Sequence, residues 1–403
     1  MTLGNPLGRF GLFTERSSPG RDADQDPARN ALQLAAIRLI LYPPKQSMLN
    51  EEHVMKSYQV VKYGAALEAR ELDTPEPQGA EILVKIKACG VCHSDVHLWE
   101  GSFDIGGGRK MELGKVSAII PFTPGHEIIG EVVAMGPEAE GASIGDTRVV
   151  YPWIGCGKCP VCEGGEENLC ARPRNLGVNV DGGFSDYVLV PDGKYLYDFA
   201  GVPDALACTY ACSGLTAFGA LKKALPLRDG DTVMLIGAGG VGLMGVRFCK
   251  AALGVQPVVV DIDPGRRQAA LDAGASEVLD PEDRDASKEF AKRTGGAAAV
   301  IDFVGAEQTA QYGTRALRMG GKYIIVGLFG GEFRTALPLI PFKAMTIMGS
   351  LVGTPGDMAE LAELVRNGQI APIPVNERPM DQASQSLEDL RAGQVVGRVV
   401  LEN

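Results

Sequence analysis

The chain has 403 residues, enough for two or three domains that each bury a core. Its formal net charge is −11 and its basic residues are scattered, which argues against nucleic acid as a partner. No apolar run reaches the roughly 20 residues that cross a bilayer, and no secretory signal is evident, so we expect no membrane association. Nine cysteines in such a chain favour metal binding over disulfides and predict a reducing, cytoplasmic location.

Residues 1–54 differ in composition from the rest of the chain. The stretch "TERSSPGRDADQDPARN" is polar, charged and rich in proline and glycine, which predicts a disordered extension. Alternatively, we expect that this segment is a mis-annotated start and that Met55 is the true first residue, because Glu51 and Glu52 fit a translated ribosome-binding site. A targeting peptide is the third alternative, and the acidic residues of the segment argue against it.

From Met55 onward the pattern is typical of a β-rich domain with short strands. "KSYQVVKYG" and "EILVKIKACG" predict strands, and glycine and proline recur to about residue 203. The stretch "ACGVCHSDVHLWEG", Ala88 to Gly101, holds two of the four histidines of the chain, His93 and His97. A third, His126, lies in "PGHEIIG". Scarce histidines so close to a cysteine and a carboxylate indicate a functional site.

A four-cysteine segment predicts a closed metal site. "GCGKCPVCEGGEENLC" has the spacing C-x2-C-x2-C-x7-C within a short lobe, residues 152–173. Four thiolates so arranged favour a structural Zn²⁺, with the ligands Cys156, Cys159, Cys162 and Cys170. An iron–sulfur cluster is the alternative, but the fourth cysteine of a ferredoxin run comes three residues after the third and precedes proline.

Cys92 and His126 predict a second, open metal site. A catalytic zinc keeps three protein ligands and leaves one position for water or substrate. The third ligand is Cys212 in "YACSGLTAFG" or Cys208, which lies four residues earlier.

Beyond Cys212 strands alternate with helices, which predicts a parallel, doubly wound sheet with right-handed crossovers. The predicted strands are "DTVMLIG", "PVVVDID", "AAAVIDFVG" and "GKYIIVGLFG". The predicted helices are "VGLMGVRFCKAAL", "PGRRQAALDAGA" (ending at Gly274) and, after about Gly349, "GDMAELAELVRNGQ". The final strand, "GRVVLEN", is expected to return to the first domain.

A glycine loop, Gly237-x-Gly239-x-x-Gly242, follows the first of these strands and opens a helix, as a dinucleotide-binding fingerprint requires. Asp261 ends the next strand, nineteen residues after Gly242. A carboxylate there accepts hydrogen bonds from ribose hydroxyls and repels a 2′-phosphate, so NAD is predicted over NADP. Arg266 and Arg267 follow and would soften this preference. A structural turn without nucleotide is the alternative.

These motifs, in this order, resemble a known family. "GVCHSD", "GHEIIGEVVAMG", "GDTRVV", the four-cysteine lobe, "CSGLTAFGAL" and "GAGGVG" are similar to those of the zinc-dependent alcohol dehydrogenases of the medium-chain dehydrogenase/reductase superfamily, and most like its tetrameric microbial branch. The resemblance covers the chain from Met55 to its end. It implies a homotetramer with a GroES-like catalytic domain (55–212 and 350–403) and a Rossmann NAD-binding domain (213–349).

The resemblance also implies roles for single residues around a catalytic zinc. The zinc ligands correspond to Cys92, His126 and Cys212. Glu127 corresponds to a carboxylate near the metal, and Asp95 to the group that orients the zinc-bound histidine. The proton relay corresponds to Ser94 and His97. Trp99 corresponds to a position that lines the substrate pocket, and packing in the core is the alternative for it.

For the coenzyme, His93 and Arg398 correspond to contacts of the pyrophosphate. The full set of predicted coenzyme contacts comprises His93, Gly237, Gly239, Gly240, Val241, Gly242, Asp261, Arg266, Val304, Gly327, Leu328 and Arg398.

These roles imply reversible oxidation of a primary or secondary alcohol to an aldehyde or ketone, with two zinc ions per chain and NAD. A polyol dehydrogenase of the same superfamily is the alternative, although such enzymes often carry glutamate where Cys212 stands. A non-catalytic, zinc-stabilised NAD-binding protein is a further alternative, against which the complete ligand set counts. The long segment between Trp99 and His126 favours an alcohol larger than ethanol.

Overall fold

The computed structural model describes residues 54–115, 117 and 119–403. The predicted extension, residues 1–54, lies outside them except for Val54, which begins strand β1 (Val54–Gln59). None of the helices within these ranges is both long and apolar enough to span a bilayer.

The first part of the chain forms the predicted β-rich structure. A seven-stranded sheet has the order β16-β17-β3-β6-β7-β9, and β8 also pairs with β3. Its strands are β3 (Ile82–Val91), β6 (Glu127–Met135), β7 (Thr147–Val150), β8 (Tyr187–Val190), β9 (Leu196–Tyr197), β16 (Val375–Pro379) and β17 (Arg398–Glu402). Beside it, β1 pairs with β2 (Glu68–Asp73), and β4 (Ser102–Asp104) pairs with β5 (Lys110–Glu112).

The predicted parallel sheet is confirmed. Its order is β12-β11-β10-β13-β14-β15, so the chain starts in the middle and winds outward in both directions. Its strands are β10 (Val233–Ile236), β11 (Val258–Val260), β12 (Glu277–Leu279), β13 (Ala297–Asp302), β14 (Leu317–Ile325) and β15 (Thr346–Gly349). β10 and β13 are buried throughout, because helices cover both faces of a doubly wound sheet.

Helices connect these strands and join the two sheets. They are α1 (His93–Glu100), α2 (Pro160–Glu163), α3 (Asp204–Ala207), α4 (Ser213–Lys222), α5 (Gly240–Leu253), α6 (Pro264–Ala273), α7 (Arg284–Thr294), α8 (Glu307–Ala316), α9 (Leu339–Lys343), α10 (Pro355–Arg366) and α11 (Ala383–Arg391). Their ends follow local chemistry. The carboxylate of Asp263 caps α6 by accepting from the Arg266 N–H, and Gly274, with φ 109°, ends it as predicted.

The last strand closes the fold. β17 runs antiparallel to β3, with Val399 opposite Val91 and Leu401 opposite Cys89. The C-terminal strand therefore returns to the first sheet, as expected. Arg398, the first residue of β17, is buried beside the turn that leads from β3 into α1.

Candidate active site

The turn between β3 and α1 brings three buried metal-binding side chains together. Cys92 is the N-cap residue of α1, His126 precedes β6, and Cys212 precedes α4. The Sγ atoms of Cys92 and Cys212 lie 4.0 Å apart, and the ligand atoms of all three residues lie within 4.8 Å of one another. Cys208 is outside this group, since its thiol donates to the carbonyl of Ala205. We call these three residues the open cluster.

Asp95 supports the open cluster from α1. Its Oδ2 accepts the N–H of Cys92 at 2.9 Å, and its Oδ1 accepts the N–H of Gly125 at 3.1 Å. Oδ1 also lies 3.0 Å from Nδ1 of His126. One carboxylate thus fixes two ligand-bearing segments and the orientation of the imidazole, the arrangement expected around a metal-binding histidine.

The residues of the open cluster fit a zinc ion. Because Asp95 occupies Nδ1, Nε2 of His126 faces the two thiols, and it is buried with no hydrogen-bond partner among the described residues. Two sulfurs bound to tetrahedral zinc at about 2.3 Å lie about 3.8 Å apart, close to the 4.0 Å between Cys92 and Cys212. Three donors leave a fourth position for a ligand.

The electrostatics of the cluster favour charged ligands. A hydrogen bond from Cys212 holds the pKa of the Cys92 thiol well below its usual value, and the same contact raises the pKa of Cys212. Burial opposes protonation of His126, but the charge of Asp95 and its hydrogen bond raise the pKa of that imidazole overall. Metal binding therefore displaces protons from this site, since thiolate and neutral imidazole are the ligand forms.

Glu127 lies behind the cluster and connects it to the C-terminal strand. Its Oε1 accepts the N–H of Ser213 at 2.9 Å and the hydroxyl of Ser213 at 2.6 Å. Its Oε2 accepts Nη2 of Arg398 at 2.5 Å, within a buried ion pair. Burial raises the pKa of Glu127, and Arg398 offsets part of that shift. A Cβ on Gly90 would lie 2.1 Å from Oε2, so only glycine leaves room for this carboxylate.

The predicted relay residues lie on α1. Ser94 and His97 are half-buried and three positions apart, so they occupy one face of the helix. The ring of His97 lies 6.1 Å from that of His93 and 4.6 Å from that of Phe103. Burial holds the pKa values of both histidines below the usual value, and their mutual repulsion lowers that of His97 further. His93, the first residue of the helix, is only partly covered by its neighbours.

The two tryptophans have different surroundings. Trp99 is 2% exposed, its indole N–H donates to the carbonyl of Ala65, and Arg391 covers its ring. These contacts favour packing in the core, and the role of Trp99 in the substrate pocket stays a prediction.

Trp153 was not predicted from the sequence. Its ring lies 5.3 Å from that of His126, and its N–H donates to Ala211 at 3.2 Å. Only its position three residues before Cys156 hints at this neighbourhood.

The four cysteines of the lobe form a second group. All four sulfurs lie within 4.8 Å, with Cys159 at 3.4 Å from Cys162 and 3.9 Å from Cys170. A hydrogen bond from the N–H of Lys158 lowers the pKa of Cys156 to about 6, whereas burial raises that of Cys162 to about 11. Four thiols without a free position fit a structural zinc. We call this group the closed cluster.

The glycine loop has the shape of a phosphate cradle. Gly237 has φ 91°, and a Cβ on Gly242 would lie 1.8 Å from the carbonyl oxygen of Gly237, so the turn requires glycine at both positions. A Cβ on Gly239 would meet no atom of the described residues within 4 Å, which leaves room for a pyrophosphate to approach. Gly240 begins α5 and abuts Arg398, with Val241 next to it.

The other predicted coenzyme residues surround the carboxyl ends of the parallel strands. Asp261 accepts the N–H of Ala238 at 2.7 Å and that of Asp263 at 2.9 Å, which fixes it against the glycine loop. Arg266 donates to the carbonyl of Gly393 at 3.3 Å. The loops after β13 and β14 carry the remaining three predicted contacts, Val304, Gly327 and Leu328.

Asp302 organises these two loops. Its Oδ1 accepts the N–H of Val304 at 2.9 Å, and its carbonyl accepts the N–H of Gly327 at 3.0 Å. Its Oδ2 accepts the hydroxyl of Tyr323 at 2.6 Å. Leu328 is 52% exposed. The coenzyme roles of these residues stay predictions.

Comparison with known proteins identifies the family. Residues 78–201 match the alcohol dehydrogenase GroES-like domain, and residues 240–367 match the zinc-binding dehydrogenase family. The chain is 38% identical to the NAD-dependent alcohol dehydrogenase of Sulfurisphaera tokodaii over 86% of its own length and 99% of that protein.

Solved structures agree. The alcohol dehydrogenase of Aeropyrum pernix has a TM-score of 0.77 at 29% identity, covering 86% of this chain and 100% of that one. The acetophenone reductase of Geotrichum candidum, solved in complex with NAD, has a TM-score of 0.75 at 29% identity, covering 88% and 98%. With its open and closed clusters in the family's two-domain α/β fold, the chain belongs to the zinc-dependent medium-chain alcohol dehydrogenases.

Proposed function

We propose that this protein oxidises a primary or secondary alcohol to an aldehyde or ketone with hydride transfer to NAD, and catalyses the reverse reduction. The open cluster carries this proposal, because Nε2 of His126 is buried beside two thiols and has no hydrogen-bond partner in the part of the chain that the structure describes. Arg398 joins this cluster to the coenzyme cradle, because it pairs with Glu127 and abuts Gly240. Metal and coenzyme therefore face one cleft.

The chain's own residues prepare the reaction. Cys92, His126 and Cys212 would hold a zinc ion, which would polarise an alcohol oxygen and lower the pKa of its hydroxyl. Bound NAD would supply the chemistry of hydride acceptance, and the protein orientation and charge. Asp95 aims His126, and Arg398 balances the charge of Glu127 beside the cluster.

Ser94 and His97 move the proton. The hydroxyl of Ser94 accepts the proton that the alcohol loses, and His97 delivers it toward the solvent. His97 suits this task because burial lowers its pKa, so the imidazole is neutral and can accept a proton at the pH where alcohols are oxidised.

The substrate is proposed to be larger than ethanol, such as a secondary, cyclic or aromatic alcohol. The long segment between Trp99 and His126 supports this, as does the likeness to acetophenone reductase. The test is a panel of ethanol, 2-propanol, cyclohexanol, benzyl alcohol and 1-phenylethanol, followed by NADH absorbance, with D-arabinitol for the polyol alternative. Metal analysis accompanies it, since two zinc ions per chain fit the enzyme and one fits a purely structural metal.

The coenzyme preference is tested on the same panel. NAD should be preferred over NADP, and Asp261→Gly should narrow the preference, because the carboxylate repels a 2′-phosphate. Better kinetics of the unchanged protein with NADP would overturn this role of Asp261.

The proposal also covers the domain boundaries, the assembly and the location of the protein. The catalytic domain comprises residues 55–212 and 350–403 and the coenzyme domain 213–349, which the membership of the two sheets supports. A homotetramer in the cytoplasm is proposed from the resemblance to the microbial branch and from the cysteine usage. Sedimentation of the metal-loaded protein tests the assembly, and a stable monomer would contradict it.

A further inference from the structure

The two connections between the sheets lie side by side. One follows α4 (residues 223–232), and the other joins β15 to α10 (residues 350–354). Lys223 Nζ donates to the hydroxyl of Ser350 at 2.9 Å, and a Cβ on Gly219 would lie 2.6 Å from the carbonyl oxygen of Val352. Two adjacent chain crossings are where one sheet can rotate relative to the other. We call residues 350–354 the second crossover.

Side chains from the β-rich part bind every second backbone carbonyl group along this crossover and into the first residue of α10. Asn168 Nδ2 donates to Leu351 at 2.8 Å, the hydroxyl of Tyr151 to Gly353 at 2.9 Å, and the hydroxyl of Tyr197 to Pro355 at 3.0 Å. Two of the acceptors, Leu351 and Gly353, lie in the crossover, and the third, Pro355, is the first residue of α10.

Val352, between the first two bonded carbonyls, has an unusual backbone. Its φ is 51°, in the left-handed region that a β-branched residue rarely adopts. It is 5% exposed, so packing as well as hydrogen bonds holds it there. A segment in such a conformation relaxes when its restraints are removed, which makes it a suitable hinge.

The closed cluster is connected to this hinge. Asn168 lies two residues before Cys170. The preceding carboxylate, Glu167, accepts the hydroxyl of Tyr195 at 2.5 Å and the N–H of Gly155 at 3.3 Å. Tyr195 stacks on Tyr151, with ring planes 10° apart. The lobe and two of the three hydrogen-bond donors therefore form one packed unit.

We infer that Asn168, Tyr151 and Tyr197 are positioning residues that hold the second crossover and thereby control the opening of the cleft between the open cluster and the glycine loop. The closed cluster anchors the hinge through Asn168. The inference rests on the proposed function for its kinetic consequence: weaker anchoring speeds coenzyme release, which often limits turnover in enzymes that close on their ligands.

The test compares Asn168→Ala, Tyr151→Phe and Tyr197→Phe in the zinc-loaded enzyme. Tyr187→Phe in β8 is the matched control, because it also removes a tyrosine hydroxyl from the first sheet but leaves the crossover contacts intact. The measurements are stopped-flow NADH release and hydrogen exchange of the Ser350 and Thr354 amides, which donate to Ile325 and Asp357 at the two ends of the crossover. Each variant should exchange faster there and release NADH about fivefold faster, the effect of one lost hydrogen bond. The single-turnover hydride step should stay within about twofold of the unchanged protein.

Two outcomes would overturn the inference. One is exchange at these amides equal to that of the unchanged protein and of Tyr187→Phe. The other is faster exchange with unchanged NADH release, because a merely structural role moves stability alone. If Tyr151→Phe fails to fold, the half-buried Asn168→Ala still decides. A protein that binds no NADH at all would instead contradict the proposed function, while the exchange data would still judge the hinge.

Discussion

The open and closed clusters use similar ligand atoms but are built in opposite ways. The four cysteines of the closed cluster come from one segment, residues 156–170, and two of them are only half-buried. The open cluster joins thiols 120 residues apart, and all three of its ligand residues are buried. A local cluster needs only its own loop, whereas the open cluster exists only when β3, β6 and α4 are correctly packed.

Their supporting contacts differ in the same way. Asp95, Glu127 and Arg398 surround the open cluster with buried charge, and the cluster offers three donors and a free position. Around the closed cluster, sulfur atoms accept backbone N–H groups, such as that of Cys156 donating to Cys170 at 3.3 Å. We propose that the first arrangement serves chemistry and the second stability. Single substitutions should distinguish these two roles. They are given in order of the expected loss of turnover, the largest first.

Cys92→Ser should cause the largest loss. Without one of three donors the open cluster no longer holds zinc, and several kcal/mol of transition-state stabilisation disappear, about 1,000-fold or more in kcat/KM. NADH binding, followed by fluorescence, should survive because the glycine loop is untouched. Cys208→Ser is the control, since this buried thiol lies outside the cluster. Near-normal turnover of zinc-loaded Cys92→Ser would refute the site.

Asp95→Asn should have the next largest effect. The amide keeps one acceptor oxygen but places an NH2 group against one set of donors, so His126 loses its orientation or Cys92 loses its N–H partner. Outer partners of metal ligands typically contribute about 10- to 100-fold in affinity or activity. Zinc retention during dialysis against a chelator, measured beside turnover, checks this. Asp104→Asn, at the exposed end of β4, is the control and should retain zinc.

The two clusters differ in how well the sequence predicts them, because one is local in the chain and the other joins distant segments. The closed cluster was predictable because C-x2-C-x2-C-x7-C is local. The parallel sheet was predictable because apolar runs and glycines mark strands and turns. In the open cluster the choice between Cys208 and Cys212 depended on resemblance, because nothing in their spacing separates them. The structure separates them through the 4.0 Å contact of Cys212 with Cys92.

Other contacts left no signal in the sequence. Trp153 approaches His126 through the packing of separate segments, and Arg398 meets Glu127 across 271 residues. The hydrogen bond from Asn168 ends on a backbone carbonyl, which every residue carries. Such partners depend on tertiary geometry and not on residue pattern.

His97→Ala should lower the rate of alcohol oxidation less than Asp95→Asn does, and its effect should depend on pH. Burial, with repulsion from His93, lowers the pKa of His97, while Glu100 and Cys92 act in the opposite direction. Above that lowered pKa the imidazole is neutral and accepts the proton, so the variant should lose about tenfold near pH 7. The loss should shrink near about pH 9.5, where hydroxide replaces the relay.

The sign of the effect on stability is also determined. Folding lowers the pKa of this histidine. Its contribution to stability is therefore fully present above the pKa of the unfolded state, and it is lost as the pH falls through the pKa of the folded state. His97→Ala should therefore flatten the loss of stability on acidification below about pH 6.5. An equal loss of turnover at every pH would show that His97 is structural and not a relay.

Cys159→Ser should have the smallest effect on turnover and a large one on stability. The substitution removes one of four ligands of the closed cluster, which lies apart from the ligand set of the open cluster. Zinc content should fall from about two to about one per chain, because a closed site binds structural zinc with all four ligands. The melting temperature should fall by on the order of 5–10 °C, since structural zinc contributes directly to folding. At 25 °C, turnover per remaining zinc should stay within about threefold of that of the unchanged protein, and any change should appear as faster NADH release through the loosened Asn168 anchor.

Lys158→Ala, which keeps all four thiols, is the matched control. Loss of turnover as deep as that of Cys92→Ser, in protein that still holds one zinc, would show that the closed cluster takes part in the chemistry and that the division between the two clusters is wrong.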